Sequence, residues 1–265
     1  MQIRSSRRYL SIPYIVFMVV FVLLPLLLIG FYAFSDMTMT PSFEPMISFF
    51  SSSSRFQVLF VSFVFGILNT AISLLISYPL AYFLADRKVN KNVVLVMLFI
   101  MPMWINFVLR TWALRDVLNF FNIGGGDYPE LATLIGLVYN YLPFTVMPLY
   151  STMLKLDKSQ IEASQDLGAG PVRTFRKIIL PMTMPGVVSA ATMVFMPTMT
   201  SYVISDILGE GKVTLFGKYI EIYFGNNQWH DGSFLALIML LLIGASVLVS
   251  QAFTKRSKRG ENNVW

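Results

Sequence analysis

EASQDLGAGPVRTFRKIILP, residues 162–181, is the longest polar and charged passage inside a chain that is otherwise apolar. Of the 265 residues, 55% are hydrophobic and 13% charged, and mean hydropathy is +0.65. A soluble domain carries about a quarter charged residues, so the solvent this composition fits is lipid. Outward from the polar passage, six windows hold no charged residue: 9–35, 56–85, 92–109, 131–154, 178–205 and 232–254. Each reaches the roughly 18 to 20 residues that a helix needs to cross a hydrocarbon core of about 30 Å. Six transmembrane helices in an all-α membrane protein are therefore expected. A barrel would show segments of about 10 residues with alternating polarity, and these windows are continuously apolar. The first window follows Arg4, Arg7 and Arg8, as a signal peptide would. Its apolar stretch exceeds the usual length of about 7 to 15 residues and no small-x-small cleavage site follows, so it is expected to stay as a membrane helix. The absence of cysteine rules out disulfides and thiolate metal sites.

Charge sets the orientation. Taking alternate sides of the six spans, one side carries 15 of the 20 Lys and Arg residues, in the amino-terminal cluster, the second loop, the fourth loop and the carboxyl terminus. The other side carries five: Arg55, Arg110, Arg115, Lys212 and Lys218. Positive residues stay cytoplasmic during insertion, so both termini and the 162–181 passage are expected in the cytoplasm. The net charge of +6 then reflects topology and headgroup contact, not nucleic-acid binding. Nine of the 14 carboxylates fall on the outer side. Prolines at 25, 79, 102, 143, 148 and 197 interrupt the spans, and each removes a backbone bond that lipid cannot replace, which favours kinked helices packed around a path.

The polar passage itself predicts two short helices. The first is capped by Ser159 with Glu162 at its third position and ends at Gly168 and Gly170. The second starts at Pro171, carries the apolar stripe Val172, Phe175 and Ile179, and is stopped by Pro181. A hairpin resting on lipid headgroups would show the same pattern. However, Glu162, Ala163, Gly168, Ile178, Leu180 and Pro181 stand at the spacing of the EAA loop, and chance matching of six such positions is roughly one in ten million per start point. This passage resembles the EAA loop of ABC importer permeases. The region 57–253, densest over 136–186 and including NFVLRTWAL and SYVISDILG, is similar to the permeases of spermidine/putrescine importers of the PotB type. Ser164 stands where that family often has a second alanine.

The resemblance implies a type I ABC importer permease fold of six transmembrane helices with a cytoplasmic coupling helix, in the bacterial cytoplasmic (inner) membrane. Residues 1–56 would be a cytoplasmic tail, first helix and outer loop, 57–254 the permease core with its coupling loop at 155–182, and 255–265 a basic cytoplasmic tail. Glu162, Ala163, Ser164, Asp166, Gly168, Ile178, Leu180 and Pro181 would couple to the ATPase. Implied partners are a second permease subunit of the PotC type, an ATP-binding subunit dimer of the PotA type, and an extracytoplasmic substrate-binding protein of the PotD type. The chain itself would bind no cofactor, ATP and Mg being used by the partner ATPase. Independently, neither Gly211-Lys212 nor Gly217-Lys218 has the glycine and hydroxyl residue that a P-loop requires.

Polyamines are flexible polycations, so their route calls for carboxylates, carbonyls and aromatic faces. Tyr202 and Asp206 share one helical face at the outer end of the fifth span; Glu210 and Glu221 follow, with Tyr219 and Tyr223 beside them. Such residues equally suit the interfacial belt of any membrane protein. Trp104, Asn106, Asn69 and Asn140 are further pathway candidates, and the same side chains suit bonds between helices. His230 has no ligand-spaced companion, so no metal site is expected, and Gly124 to Gly126 read as an outer turn. An ABC importer permease for another small solute fits the same coupling loop. An ion-coupled secondary transporter would show inverted repeats and a deep charge, and an intramembrane enzyme would need catalytic groups at depth; the sequence offers neither set.

Overall fold

The computed structural model describes residues 12–86 and 94–262, with side chains to residue 252. The basic clusters at 4–8 and 87–91 lie outside the described residues, as do the side chains of the carboxyl-terminal cluster. Eleven helices are described: α1 Ile12–Ala33, α2 Glu44–Ser51, α3 Ser53–Ala85, α4 Val94–Trp104, α5 Phe107–Phe120, α6 Pro129–Met153, α7 Lys158–Asp166, α8 Pro171–Thr200, α9 Val203–Gly209, α10 Phe216–Gly225 and α11 Trp229–Asn262. Five of them, α1, α3, α6, α8 and α11 to Ala252, are long and apolar enough to cross a membrane. The third expected span is not one straight helix. Helices α4 and α5 meet at 95°: Pro102 sits in a closing 3-10 turn, Ile105 is extended, and Asn106 caps α5 by accepting from Val108 N at 2.9 Å. Counted as one broken span, the pair makes six.

Prolines bend helices here through a specific device. In α1 and in α8 the turn before a Leu-Pro pair widens to a π turn, Val19–Leu23 and Phe175–Ile179. Leu24 N then donates to Val19 O, and Leu180 N to Phe175 O. Each proline thus enters with its missing N–H already absorbed by the five-residue spacing, so the helix continues. The expectation that Pro181 ends the second hairpin helix is corrected on this ground: α8 runs on to Thr200. Helix α11 runs to Asn262.

The described chain forms two compact units. One combines the residues up to Gln57 with Tyr219–Leu242. Phe234 is its centre, with Phe34 and Phe49 rings at 6.1 and 5.9 Å. Arg55 makes two bonds of 3.3 Å to Asp231 and lies 5.1 Å over the Tyr223 ring. The His230 Nδ1 atom sits 3.2 Å from both Ser35 Oγ and Tyr32 O. Asp36 closes the turn after α1, receiving Thr38 N at 2.8 Å, Thr40 N at 3.1 Å and both threonine hydroxyls. These donors hold its carboxyl down at about 2 against the ordinary 3.8.

The other unit comprises Val58–Lys218 with the rest of α11. Helices α6 and α8 pack along their lengths, and α9 and α5 close on α6. One apolar cluster gathers Phe65, Leu118, Leu137, Ile204 and Leu208; a second gathers Ala81, Leu84, Val146, Leu149 and Met153. A polar stripe runs down α3 at helical spacing through Ser62, Asn69, Ser73 and Ser77, all fully buried. Asn69 donates to Thr198 Oγ1 at 2.6 Å and accepts from Ser73, and Ser77 meets Thr145. In lipid such bonds tie helices together at about 0.6 to 2 kcal/mol each.

Gly136 lets α6 approach α9, since a Cβ there would collide with Leu208. Gly136→Val should therefore cost about 1–3 kcal/mol, read as a lower thermal unfolding midpoint in detergent; an unchanged midpoint would mean that the helices do not touch there. For Asp36 the folded pKa lies below the unfolded one, so the loop's hold is complete above the ordinary value and is lost as pH falls through about 2. Amide resonances of Thr38 and Thr40 should titrate near the lower value, and a midpoint at 3.8 would exclude the four-donor cradle.

Candidate functional site

The polar hairpin is held by its own termini. Asp157, not Ser159, caps α7: its Oδ1 accepts from Ser159 N at 3.0 Å and from Ser159 Oγ at 2.8 Å. Those bonds hold the Asp157 carboxyl below the usual carboxylate range. With the cap two residues earlier, Glu162 is not at the third position; the expected capping box is replaced, and Glu162 is exposed. At the other end Gly168 takes φ +78, Gly168 N donates to Gln165 O at 2.8 Å and Ala169 N to Ser164 O at 3.0 Å. This is the paired Schellman closure, in which glycine avoids a left-handed strain of about 1–2 kcal/mol.

Pro171 then opens α8 at its first position. Ser164 gives its proton to Ile161 O at 2.9 Å, and its oxygen meets the Thr174 hydroxyl at 3.0 Å, tying α7 to α8. Serine at this place thus supplies a link that alanine lacks. Phe175 packs edge-on against Tyr78 at 5.6 Å, and the Tyr78 hydroxyl lies 2.7 Å from Thr183 Oγ1, fastening the hairpin to the end of α3. A cavity of about 570 Å³ beneath it is walled by Tyr78, Pro79, Tyr82 and Phe175. Ala163, Asp166, Gly168 and Pro181 are exposed, while Ile178 and Leu180 are half-buried. Leu167 and Val172 project at the tip, 88% and 69% exposed. The Val172, Phe175, Ile179 stripe is split by the π turn: Ile179 is buried, and Val172 points away.

At the far end of α8, Tyr202 precedes α9 and Asp206 N donates to Tyr202 O at 3.0 Å, so the two lie one turn apart. Asp206 pairs with Lys218 at 3.4 Å. Glu210, in a left-handed conformation, receives Arg115 at 2.8 and 3.1 Å, and Lys212 Nζ reaches Gly126 O in the glycine turn. Glu221, Tyr219 and Tyr223 belong to the other unit, where the two tyrosine hydroxyls are 3.4 Å apart. Asn69 is fully engaged between helices, Asn106 is a cap, and Trp104 is 87% exposed. Lys218 and Arg115 were not singled out by sequence, because a pairing partner 12 or 95 residues away leaves no local pattern.

Arg110 was also missed as a site residue. It lies in a cleft of about 420 Å³ with Trp104, Phe107, Asn140, Phe144 and Ile204, and is only 8% exposed. Its guanidinium carbon is 5.8 Å from the Tyr139 ring centre, and its Nε has no hydrogen-bond partner. Asn140, 3% exposed, donates to Gly136 O at 3.0 Å and Thr111 Oγ1 at 3.3 Å, leaving its Oδ1 without a partner. The clue in sequence was an arginine directly after an uncharged window.

Residues 77–260 match the family described as binding-protein-dependent transport system inner membrane component. The chain belongs to that family. The permease is 36% identical over 209 residues to the spermidine/putrescine transport system permease protein PotB of Escherichia coli, covering 73% of this chain and 76% of that one. It is 31% identical to the Haemophilus influenzae protein of the same name, with 88% of each chain covered. In fold it is similar to a bacterial ABC transporter that imports the polysaccharide alginate, with a TM-score of 0.70 at 13% identity and 96% of each chain covered. The permease therefore has the type I ABC importer fold, and it is a transport protein rather than an enzyme. Because the hairpin's first helix hangs on its cap, Asp157→Ala should loosen α7, seen as faster amide exchange across residues 158–166 with the spans unaffected; equal exchange in both proteins would remove Asp157 from that role.

Proposed function

We propose that the chain is one of the two permease subunits of an ATP-driven importer for polyamines, spermidine or putrescine, in the bacterial inner membrane, and that its α7–α8 hairpin docks in the ATP-binding subunit. The observation that carries the reading is the hairpin tip. Leu167 and Val172 stand exposed on a hairpin closed by the Gly168 turn and the Ser164–Thr174 bond, and α8 leads from it without a break into a span. An exposed apolar pair on a rigid support suits a protein groove. A push on α7 becomes a tilt of α8, the rigid-body route by which a motor's closure reaches a membrane bundle.

The bias of Lys and Arg supports a cytoplasmic position for this hairpin and both termini, where the hairpin would meet a PotA-type ATPase dimer that uses ATP and Mg. A PotC-type permease completes the pathway and a PotD-type binding protein delivers solute from outside. Polyamine as cargo rests on the names of the relatives at 36% and 31% identity, supported by an aromatic ring and a carboxylate one turn apart at Tyr202 and Asp206. There Lys218 Nζ stands 3.4 Å from the Asp206 carboxylate, as a tethered ammonium that a polyamine amine can replace.

Glu162→Lys and Gly168→Asp should each cut uptake by the assembled complex more than tenfold and uncouple ATP hydrolysis from it, while the protein still reaches the membrane; unchanged uptake would overturn the coupling role. Labelled spermidine and putrescine should enter reconstituted vesicles in preference to unrelated solutes. Asp206→Asn should raise the KM for spermidine about fivefold, the worth of one partly exposed ion pair. Failure to carry either cation would remove the polyamine assignment and leave the coupling role standing.

A further inference from the structure

The cleft around Arg110 holds a charge that none of the described residues answers. Arg55–Asp231, Arg115–Glu210 and Lys218–Asp206 are ion pairs among the described residues, and none of the three reaches Arg110. A buried lysine can shed its proton, but a guanidinium cannot, so the charge persists whatever the surroundings. Asn140 is fixed in register beside it. Its amide protons go to Gly136 O and Thr111 Oγ1, and Thr111 spends its own proton on Phe107 O at 2.7 Å. Asn140 lines the same cleft as Arg110, and its Oδ1 is left without a partner. What is missing is an acceptor for Arg110 and a donor for Asn140.

We propose that this cleft seats an acidic side chain of the second permease subunit, whose carboxylate takes the Arg110 guanidinium while an N–H of the same segment reaches Asn140 Oδ1. The proposal rests on the reading of the chain as one of two permeases. A polyamine answers only half of the site: its ammonium suits Asn140 but would sit beside a second positive charge in a medium of low dielectric. A small soluble anion answers the charge but leaves the rim bare, where Trp104 is 87% and Ile105 56% exposed. A protein segment covers the apolar rim and brings the carboxylate with it, which is how intramembrane arginines are tolerated. The bidentate geometry of arginine with a carboxylate also fixes register between two helical surfaces.

The chain has no cysteine, so Ile105→Cys places a unique thiol on the rim. In the complex with the second permease and the ATPase, that thiol should react with maleimide at least tenfold more slowly than in this chain purified alone. In the same complex made with Arg110→Met, recovery of the second permease should drop at least tenfold, while the melting temperature of the isolated chain is kept. Arg110→Glu should assemble only when one particular acidic residue of the second permease is changed to arginine. Equal labelling rates, or full recovery of the second permease with Arg110→Met, would overturn the proposal. Protection of the thiol in the isolated chain by added citrate would give the cleft to a soluble anion and overturn it too. Lost spermidine uptake with assembly intact would place Arg110 in the solute path instead. A complex that protects the thiol yet carries no polyamine would uphold this interface and sink only the cargo assignment.

Discussion

Hydrocarbon offers no hydrogen bond to a stranded polar group, so every N–H, carbonyl and hydroxyl in these spans must find its partner within protein. The described helices meet that demand in two ways. Where a proline would strand a carbonyl in α1 and α8, the preceding turn widens so that Leu24 and Leu180 bond five residues back. Several buried hydroxyls bond to the carbonyl one turn earlier, as Thr183 does to Ile179 and Thr198 to Val194. Thr183 and Thr198 then remain able to receive Tyr78 and Asn69, so that the polar stripe of α3 joins the bundle. Among the described residues, Arg110 Nε, Asn140 Oδ1 and Thr133 Oγ1 are the buried atoms where the demand is left unmet.

The same constraint links the two ends of the larger unit. Helix α8 spans 30 residues, about 45 Å at 1.5 Å per residue, from the hairpin to the turn before Asp206. Its contact with α6 is close, because Gly186 faces Thr152 and Pro148 with no side chain between. Helix α6 in turn meets α9 through Gly136 and Leu208. Helices α8, α6 and α9 thus meet through glycine contacts in one continuous chain of packing.

Electrostatics just beyond α8 differ from those of a bare acidic surface. Asp206 and Glu210 are each met by a cation from their own unit.

The sequence by itself determined the solvent, the number of apolar windows, the hairpin at 162–181 and its glycine closure, because hydropathy, spacing and backbone permissiveness are local properties. It misplaced the cap by two residues, since Asp157 and Ser159 are both good caps and only the path of the chain out of α6 chooses between them. It took Pro181 for a stop, because whether a helix survives a proline depends on a widened turn that packing must hold open. The 95° break at Ile105, the pairing of Asp206 with Lys218 and of Glu210 with Arg115, and the solitary Arg110 were decided only by the tertiary structure. Each of these is a relation between residues on different helices, and pairing across space leaves no period in the chain for a sequence to display.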